Sequence, residues 1–231
     1  QRTAEWGMRL LYGGPEGSPQ AGRELRDLHR DIKGTDDKGR RYFALDREAY
    51  AWVHMTTYYT MVTTQRLFGE QPFTPAEEAQ LYREWVQQGR VLGIRDEDMP
   101  ADLPAFQRYF DNMVEQRLEE TSLARYLIDV TLKKSRKPPA LKWLPDRIWN
   151  FAYRSAGSWL MLNTAATLPP ALRQTLGVEW NRPREIIFNQ LARVIRLSLP
   201  LLSLKARYAP PAAKALAAAQ GRSKQALSKK T

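Results

Sequence analysis

Residues 49–65, AYAWVHMTTYYTMVTTQ, run for seventeen positions without a formal charge other than whatever His54 carries. A helix advances by about 100° per residue, so no side of this one would be charged. A helix uncharged all round is ordinarily buried all round, and burying it requires other helices to wrap about it. Five threonines (Thr56, Thr57, Thr60, Thr63 and Thr64) keep the stretch from being purely apolar. Their hydroxyls can return to the carbonyls of their own helix or line a pocket. Tyr50, Val53, His54, Thr57, Met61 and Thr64 share one face.

The punctuation on either side of this stretch is helical too. Ser18 as N-cap with Pro19 at the first position opens a helix that Gly34 stops. Asp37-Lys38-Gly39 is turn chemistry in a loop over 35–45, with a short extended piece at Tyr42-Phe43. Asp46 caps the uncharged helix, which ends near Gly69. Thr74-Pro75-Ala76-Glu77 is a capping box for the next, which stops at Gly93. Asp102 and Ser122 open two more, the second running to about Leu132, and KKSRKPPA follows as a basic loop. Helices then cover about 145–164, 170–176 and, after an Asn181 cap, 182–205, where Pro200 kinks or ends the last one. A short alanine-rich helix is expected over 210–220, and the final GRSKQALSKKT is expected to fray. No repeat period is present and no segment reads as a strand. The class is all-α: a multi-helix single domain over residues 1–205, followed by a basic Ala/Lys-rich tail over 206–231.

Of 231 residues, 43% are hydrophobic and 26% charged, enough for a substantial core. Cysteine is absent, which excludes disulfides, thiolate metal sites, iron–sulfur clusters and a cysteine nucleophile. The chain opens on Gln1 rather than Met and reads as a fragment or a processed chain. The formal charge is +11, but seven basic residues and no acidic ones fall between Lys205 and Thr231. The charge therefore describes a tail more than a nucleic-acid-binding body, and no nucleic-acid partner is expected. No run approaches the ~18 apolar residues a transmembrane helix requires. The stretch ALKWLPDRIWNFAYRSAGSWLML mixes Trp143, Trp149 and Trp159 with Lys142, Arg147 and Arg154. Two readings fit it: an aromatic core with solvated rims, which is the commoner fate of helical aromatics, or a membrane-interface segment.

Only two histidines occur. In GRELRDLHRDIKG, residues 22–34, helical spacing puts Leu25, Leu28, His29 and Ile32 on one face with Ala21 and Gly22, and the charges on the other. His29 is thus expected to point inward with the leucines. For each histidine the bland reading is a satisfied core residue, and the sharp one is a ligand. Zinc would need three or four protein ligands and no HExxH spacing exists. Haem needs one axial imidazole. Side chains lean toward the N-terminus of their helix, and there His29 has the small neighbours Ala21 and Gly22, expected to leave room for a flat macrocycle. GGPEG lacks the lysine and strand context of a P-loop, and GxSxG does not occur.

The order of motifs completes the reading. Arg2-Thr3 is followed by YGGPEG, LHRDIKG, GRRYFALD, REAYAWVHMTT, RLFGEQPFTPAEEAQLYREW, GRVLGI and LPPALRQTLGVEW. This order, over about residues 1–205, resembles the MpaB-type oxygenase family, related to latex-clearing (rubber) oxygenases. Its most specific piece pairs H-x-x-[IV]-x-G with D-x-x-x-x-x-W-V-H-x-T. The resemblance implies a globin-like helical core holding haem b, with His29 as axial iron ligand and Leu25, Ile32 and Thr57 lining the cofactor. In latex-clearing relatives a Lys-Thr pair lies on the distal side. Arg2-Thr3 takes its place here, so Thr3 would line the oxygen side with Arg2 beside it. His54 matches the family's second histidine and would serve near the haem or substrate pocket. The implied activity is a haem-dependent oxygenase using dioxygen on an apolar, alkene-type small molecule. The alternative is a non-catalytic helical module at a membrane. The expected location is the cytoplasm, with peripheral membrane contact through the basic tail and the Trp-rich segment.

Overall fold

Side-chain caps start several helices at the positions the sequence marks. The Asp46 carboxylate accepts from the Ala49 amide at 3.1 Å and opens α3, Arg47–Phe68. Thr74 and Glu77 satisfy each other's amides at 2.8 and 3.3 Å, a complete capping box at the head of α4, Pro75–Val91. Gly93, at φ +77°, follows its end. The Asp102 carboxylate accepts from Ala105 at 2.8 Å and opens α5, Leu103–Asn112. The computed structural model describes residues 2–133 and 137–218, the side chains of 2–4, 131–133 and 204 excepted.

Upstream of α3 lie α1, Arg2–Tyr12, α2, Gly14–His29, and a hairpin of β1, Lys33–Thr35, and β2, Arg41–Phe43. The hairpin pairs Lys33 with Phe43 and Thr35 with Arg41, antiparallel, around the expected turn, where Gly39 takes φ +78°. The extended piece at Tyr42-Phe43 is therefore half of a small sheet. α2 starts earlier than Ser18: Pro15 lies in its first turn and Pro19 sits inside it. Downstream are α6, Ser122–Lys133, α7, Asp146–Thr167, α8, Pro170–Thr175, α9, Arg182–Ser198, and α10, Leu204–Arg207. Asn181 caps α9 through the Arg184 amide at 3.1 Å, and α9 ends at Ser198, two residues before Pro200, which lacks an amide donor. A helix over 210–218 realises most of the alanine-rich expectation. The expected fraying of GRSKQALSKKT, and residues 134–136 of the basic loop, lie outside the described residues.

Contacts divide the chain into two compact units, residues 1–106 with 195 onward, and residues 107–194. The first is built on α3 and α4. Met55 and Tyr58 of α3 are fully buried. The Tyr58 ring stands edge-on to Tyr82 at 5.1 Å and to Phe106 at 4.9 Å, arrangements favoured by the ring quadrupoles. Gly22 of α2 lies so close to the end of α4 that an added Cβ would stand 2.4 Å from the Val91 carbonyl oxygen.

α3 is not buried all round. Ala51, His54, Met55, Tyr58 and Thr63 face inward, while Val53, Thr57, Thr60 and Thr64 are exposed. The uncharged outer side is tolerated because its hydroxyls bond within the helix: Thr56 and Thr57 donate to the Val53 carbonyl at 2.8 and 3.0 Å, and Thr60 to that of Thr56 at 2.8 Å.

In the second unit α6 and α7 pair, and the Tyr153 hydroxyl donates to the Val130 carbonyl at 2.6 Å. The core reading of the Trp-rich segment does not hold. The residues that α7 buries fully are small, Gly157 and Ala165. Trp149 and Tyr153 are half-buried, but Trp143, just before the helix, and Phe151 are each 76% exposed.

Candidate functional site

His29 is the last residue of α2, so the helical-face argument reaches Leu25 but stops short of Ile32. Leu28 and Ile32 are 49% and 47% exposed, where inward positions were expected. Ala21 and Gly22 are buried, but they leave no room for a ligand, since the space beside Gly22 is taken by the backbone of α4. Any planar group at His29 would have to be met on the open side of the helix end.

The His29 ring itself is half-buried. Its Nδ1 lies 2.7 Å from the Leu25 carbonyl oxygen, an acceptor only, so Nδ1 carries the proton and donates. The lone pair is then on Nε2. This is the pattern by which ligating histidines are held, one ring nitrogen donating to a carbonyl and the other left to coordinate. The Tyr50 ring of α3 meets the His29 ring edge-on at 6.3 Å between centroids.

His54 is turned the other way, toward α4. It is 5% exposed and stacks on Trp85 at 5.0 Å and 9°. Its Nε2 donates to the Trp85 carbonyl at 2.9 Å, while the Trp85 indole N–H donates to the His54 carbonyl at 3.0 Å. Gly89 makes the approach feasible, since a Cβ there would stand 3.0 Å from Nε2. Burial pushes the imidazole pKa down to about 4, partly offset by the bond to Trp85. At neutral pH this ring is uncharged and joins two helices. The two histidines thus serve different helix pairs.

Thr57 stands exposed with its hydroxyl on the Val53 carbonyl. Arg2 and Thr3 open α1, and their side chains lie outside the described ones. Among the described residues no group of three or more His, Asp or Glu is placed to hold a metal ion, a condition that a single-imidazole haem site does not require.

Sequence reasoning missed a cavity of about 220 Å³ lined by Arg26, Leu45, Arg47, Tyr50, Gly93, Ile94, Arg95 and Asp98. Its arginines are scattered over three segments and look like solvated helix faces in one dimension; the only local signals are Gly93 and the charge run Arg95-Asp96-Glu97-Asp98. The Tyr50 hydroxyl is buried with no hydrogen-bond partner, and burial raises its pKa against the opposing charge of Arg26. The second unit has a cavity of its own, about 430 Å³, walled by residues that include Ile128, Met161, Leu162, Ala165 and Val178.

No curated protein and no solved structure matches this sequence. One family model does, described as "ER-bound oxygenase mpaB/B'/Rubber oxygenase, catalytic domain", over residues 1–197. That span includes His29, the cavity beside it and the His54–Trp85 clasp, and by it the chain belongs to the MpaB and rubber oxygenase family of catalytic domains.

Proposed function

We propose that the first unit holds haem b with His29 as its axial ligand, and that the protein uses dioxygen to oxidise an apolar, alkene-type small molecule. The observation that carries this reading is the 2.7 Å bond from Nδ1 to the Leu25 carbonyl. It fixes the tautomer and leaves the lone pair on Nε2 of a half-buried ring. Leu28, at the end of α2, and Ile32, just past it, are about half exposed and offer apolar surface near the helix end. When bound, haem supplies the activation of dioxygen; the protein's share is to hold the ring, exclude water and place the substrate.

His54 enters as a positioning residue. By clasping α3 to α4 it fixes the register of the helix that presents Tyr50 to His29. Arg2 and Thr3 would hold the role that the family order implies, Arg2 supplying a cation and Thr3 a hydroxyl on the side of the cofactor where dioxygen is used. Thr57 lies on the outer side of α3, two turns beyond Tyr50. It would reach the cofactor only with its methyl group, because its hydroxyl is engaged.

The test is an absorption titration of the purified chain with haemin. The wild type is expected to develop a Soret band with a histidine-ligated spectrum. His29→Ala is expected to lose that spectral form and to weaken haemin binding roughly tenfold, the lower end of what ligand-shell losses produce. His54→Gln should retain it. A His29→Ala spectrum identical to the wild type would reduce His29 to a helix-terminal cap.

The exposed side of α7 supports peripheral membrane contact as part of the same proposal. Ile148, Phe151 and Trp159 lie exposed along one stripe, with Arg147 and Arg154 at its border. Apolar rings edged by arginine suit an anionic lipid surface. No helix among the described residues is long and apolar enough to cross a membrane. Vesicles containing phosphatidylserine should co-sediment the protein, and a Phe151→Ser, Trp159→Ser double variant should reduce that binding about tenfold. Equal binding by the variant would remove α7 from the contact.

A further inference from the structure

We propose that the cavity lined by Arg26, Tyr50, Arg47 and Arg95 is a carboxylate-binding site, with the Arg26 guanidinium and the Tyr50 hydroxyl as the two donors. Its charges do not cancel. Arg47 donates to Asp98 at 2.6 and 3.2 Å and to Glu97 at 2.7 Å. Arg95 donates to Asp98 at 3.0 Å and reaches Glu97 at 2.8 Å. Two guanidiniums and two carboxylates thus neutralise one another, and the Asp98 oxygens, which would otherwise repel an anion, are covered from both sides. Arg26 is the remainder: it makes no ion pair among the described side chains, and it stands in the wall of the same cavity.

Two further features point the same way. Gly93 is pressed so close to the Arg26 guanidinium that a Cβ would overlap it, at 1.9 Å from Nη1. The backbone there therefore admits the guanidinium along the cavity wall, while Arg26 as a whole stays exposed to solvent. Tyr50 brings a hydroxyl that is buried and has no acceptor in the protein. A buried donor left unpaired is unfavourable in its own right, and an acceptor-only anion would satisfy the Tyr50 hydroxyl while drawing a charge-assisted hydrogen bond from the solvent-exposed, unpaired Arg26 guanidinium. A neutral ligand would answer only the hydroxyl. The volume, about 220 Å³, takes a carboxylate with a short chain and not a whole macrocycle.

Tyr50 also meets the His29 ring at 6.3 Å, so the site has two sources for its carboxylate. One is a propionate of haem seated on His29, and this branch rests on the function proposed above. The other is the acid group of a separate small molecule. Binding of haemin, haemin dimethyl ester and hexanoate to the wild type, Arg26→Gln, Tyr50→Phe and His29→Ala, by absorption and calorimetry, distinguishes them. Circular dichroism checks that each variant is folded.

If the source is propionate, haemin binds the wild type at least about tenfold more tightly than its dimethyl ester, the scale of one charge-assisted contact, and Arg26→Gln erases the difference. If the source is a separate acid, hexanoate binds the wild type and His29→Ala alike and loses about tenfold in Arg26→Gln, whatever haemin does. Tyr50→Phe should weaken the same ligand severalfold with no fall in thermal stability, because the hydroxyl it removes has no partner to lose. That combination is one a merely structural tyrosine would not give, and it decides the matter if Arg26→Gln does not fold. Indifference of all three ligands to both substitutions would overturn the proposal. Failure of haemin alone, with hexanoate still sensitive to Arg26, would count against the haem reading and leave the carboxylate site standing.

Discussion

His54→Ala lowers the unfolding free energy by about 3 kcal/mol at pH 7.5, the usual range for truncating a large buried side chain that also loses a hydrogen bond. Three losses combine. The ring stacks on Trp85 at 5.0 Å, its Nε2 bonds the Trp85 carbonyl at 2.9 Å, and its volume fills the space that Gly89 leaves open between α3 and α4. The reciprocal bond from the Trp85 indole to the backbone of residue 54 survives, so the clasp is weakened and not abolished. His54→Gln, which keeps a donor at the end of a flat group, should recover part of the loss. Urea unfolding of the three proteins measures it; a loss under 1 kcal/mol in the alanine variant would mean the clasp contributes little.

The same residue sets an acid limit on the fold. Its pKa is near 4 in the folded chain against 6.5 for an ordinary imidazole. The unfolded state therefore takes up the proton first. The stabilising contribution is complete above about pH 6.5 and declines as pH falls toward 4, amounting to a loss of about 2 kcal/mol between pH 7.5 and pH 5. In His54→Ala that part of the pH dependence should be missing. A wild-type stability unchanged between those two pH values would show the imidazole to be more hydrated than its 5% exposure implies.

Gly22→Ala is the second large effect, and its sign is the informative part. Helix propensity alone favours alanine over glycine by about 1 kcal/mol. At position 22 the new methyl would stand 2.4 Å from the Val91 carbonyl oxygen, a backbone atom that cannot rotate away. α2 and α4 must then separate, and the net result is a destabilisation of about 2 kcal/mol, in the range of overpacked cores. Gly17, in the same helix, is the control, since nothing stands within 4 Å of a Cβ there. Gly17→Ala should stabilise by roughly 0.5–1 kcal/mol. Thermal unfolding of the pair tests both; equal shifts would mean that α2 does not approach α4 as described. Because His29 ends α2 and Arg26 lies one turn earlier, Gly22→Ala should also weaken haemin binding, whereas Gly17→Ala should not.

Much of this architecture could be read in one dimension, because it depends on groups close in the chain. Asp46, Thr74 with Glu77, Asp102 and Asn181 cap their helices through amides three residues away, and Pro200 stops α9 for want of a donor. The hairpin turn at Gly39 and the stop at Gly93 follow from backbone angles few other residues adopt. Both histidines could be singled out because the chain has no others.

What the sequence could not supply is direction. Helical spacing placed His29 with Leu28 and Ile32, but the chain leaves the helix at His29, and both apolar neighbours face outward. The small residues Ala21 and Gly22 suggested space, and α4 occupies it. The uncharged helix suggested burial on every side, yet its threonines bond within their own helix and tolerate water. The carboxylate cavity is the plainest case. Arg26, Arg47, Tyr50 and Arg95 come from three separate segments, and only packing α2 and α3 against the loop after α4 leaves one guanidinium without a counter-charge beside a hydroxyl without an acceptor. Caps and turns are settled by neighbours along the chain; which charge is left over, and which nitrogen remains available, is settled by whatever packs against them.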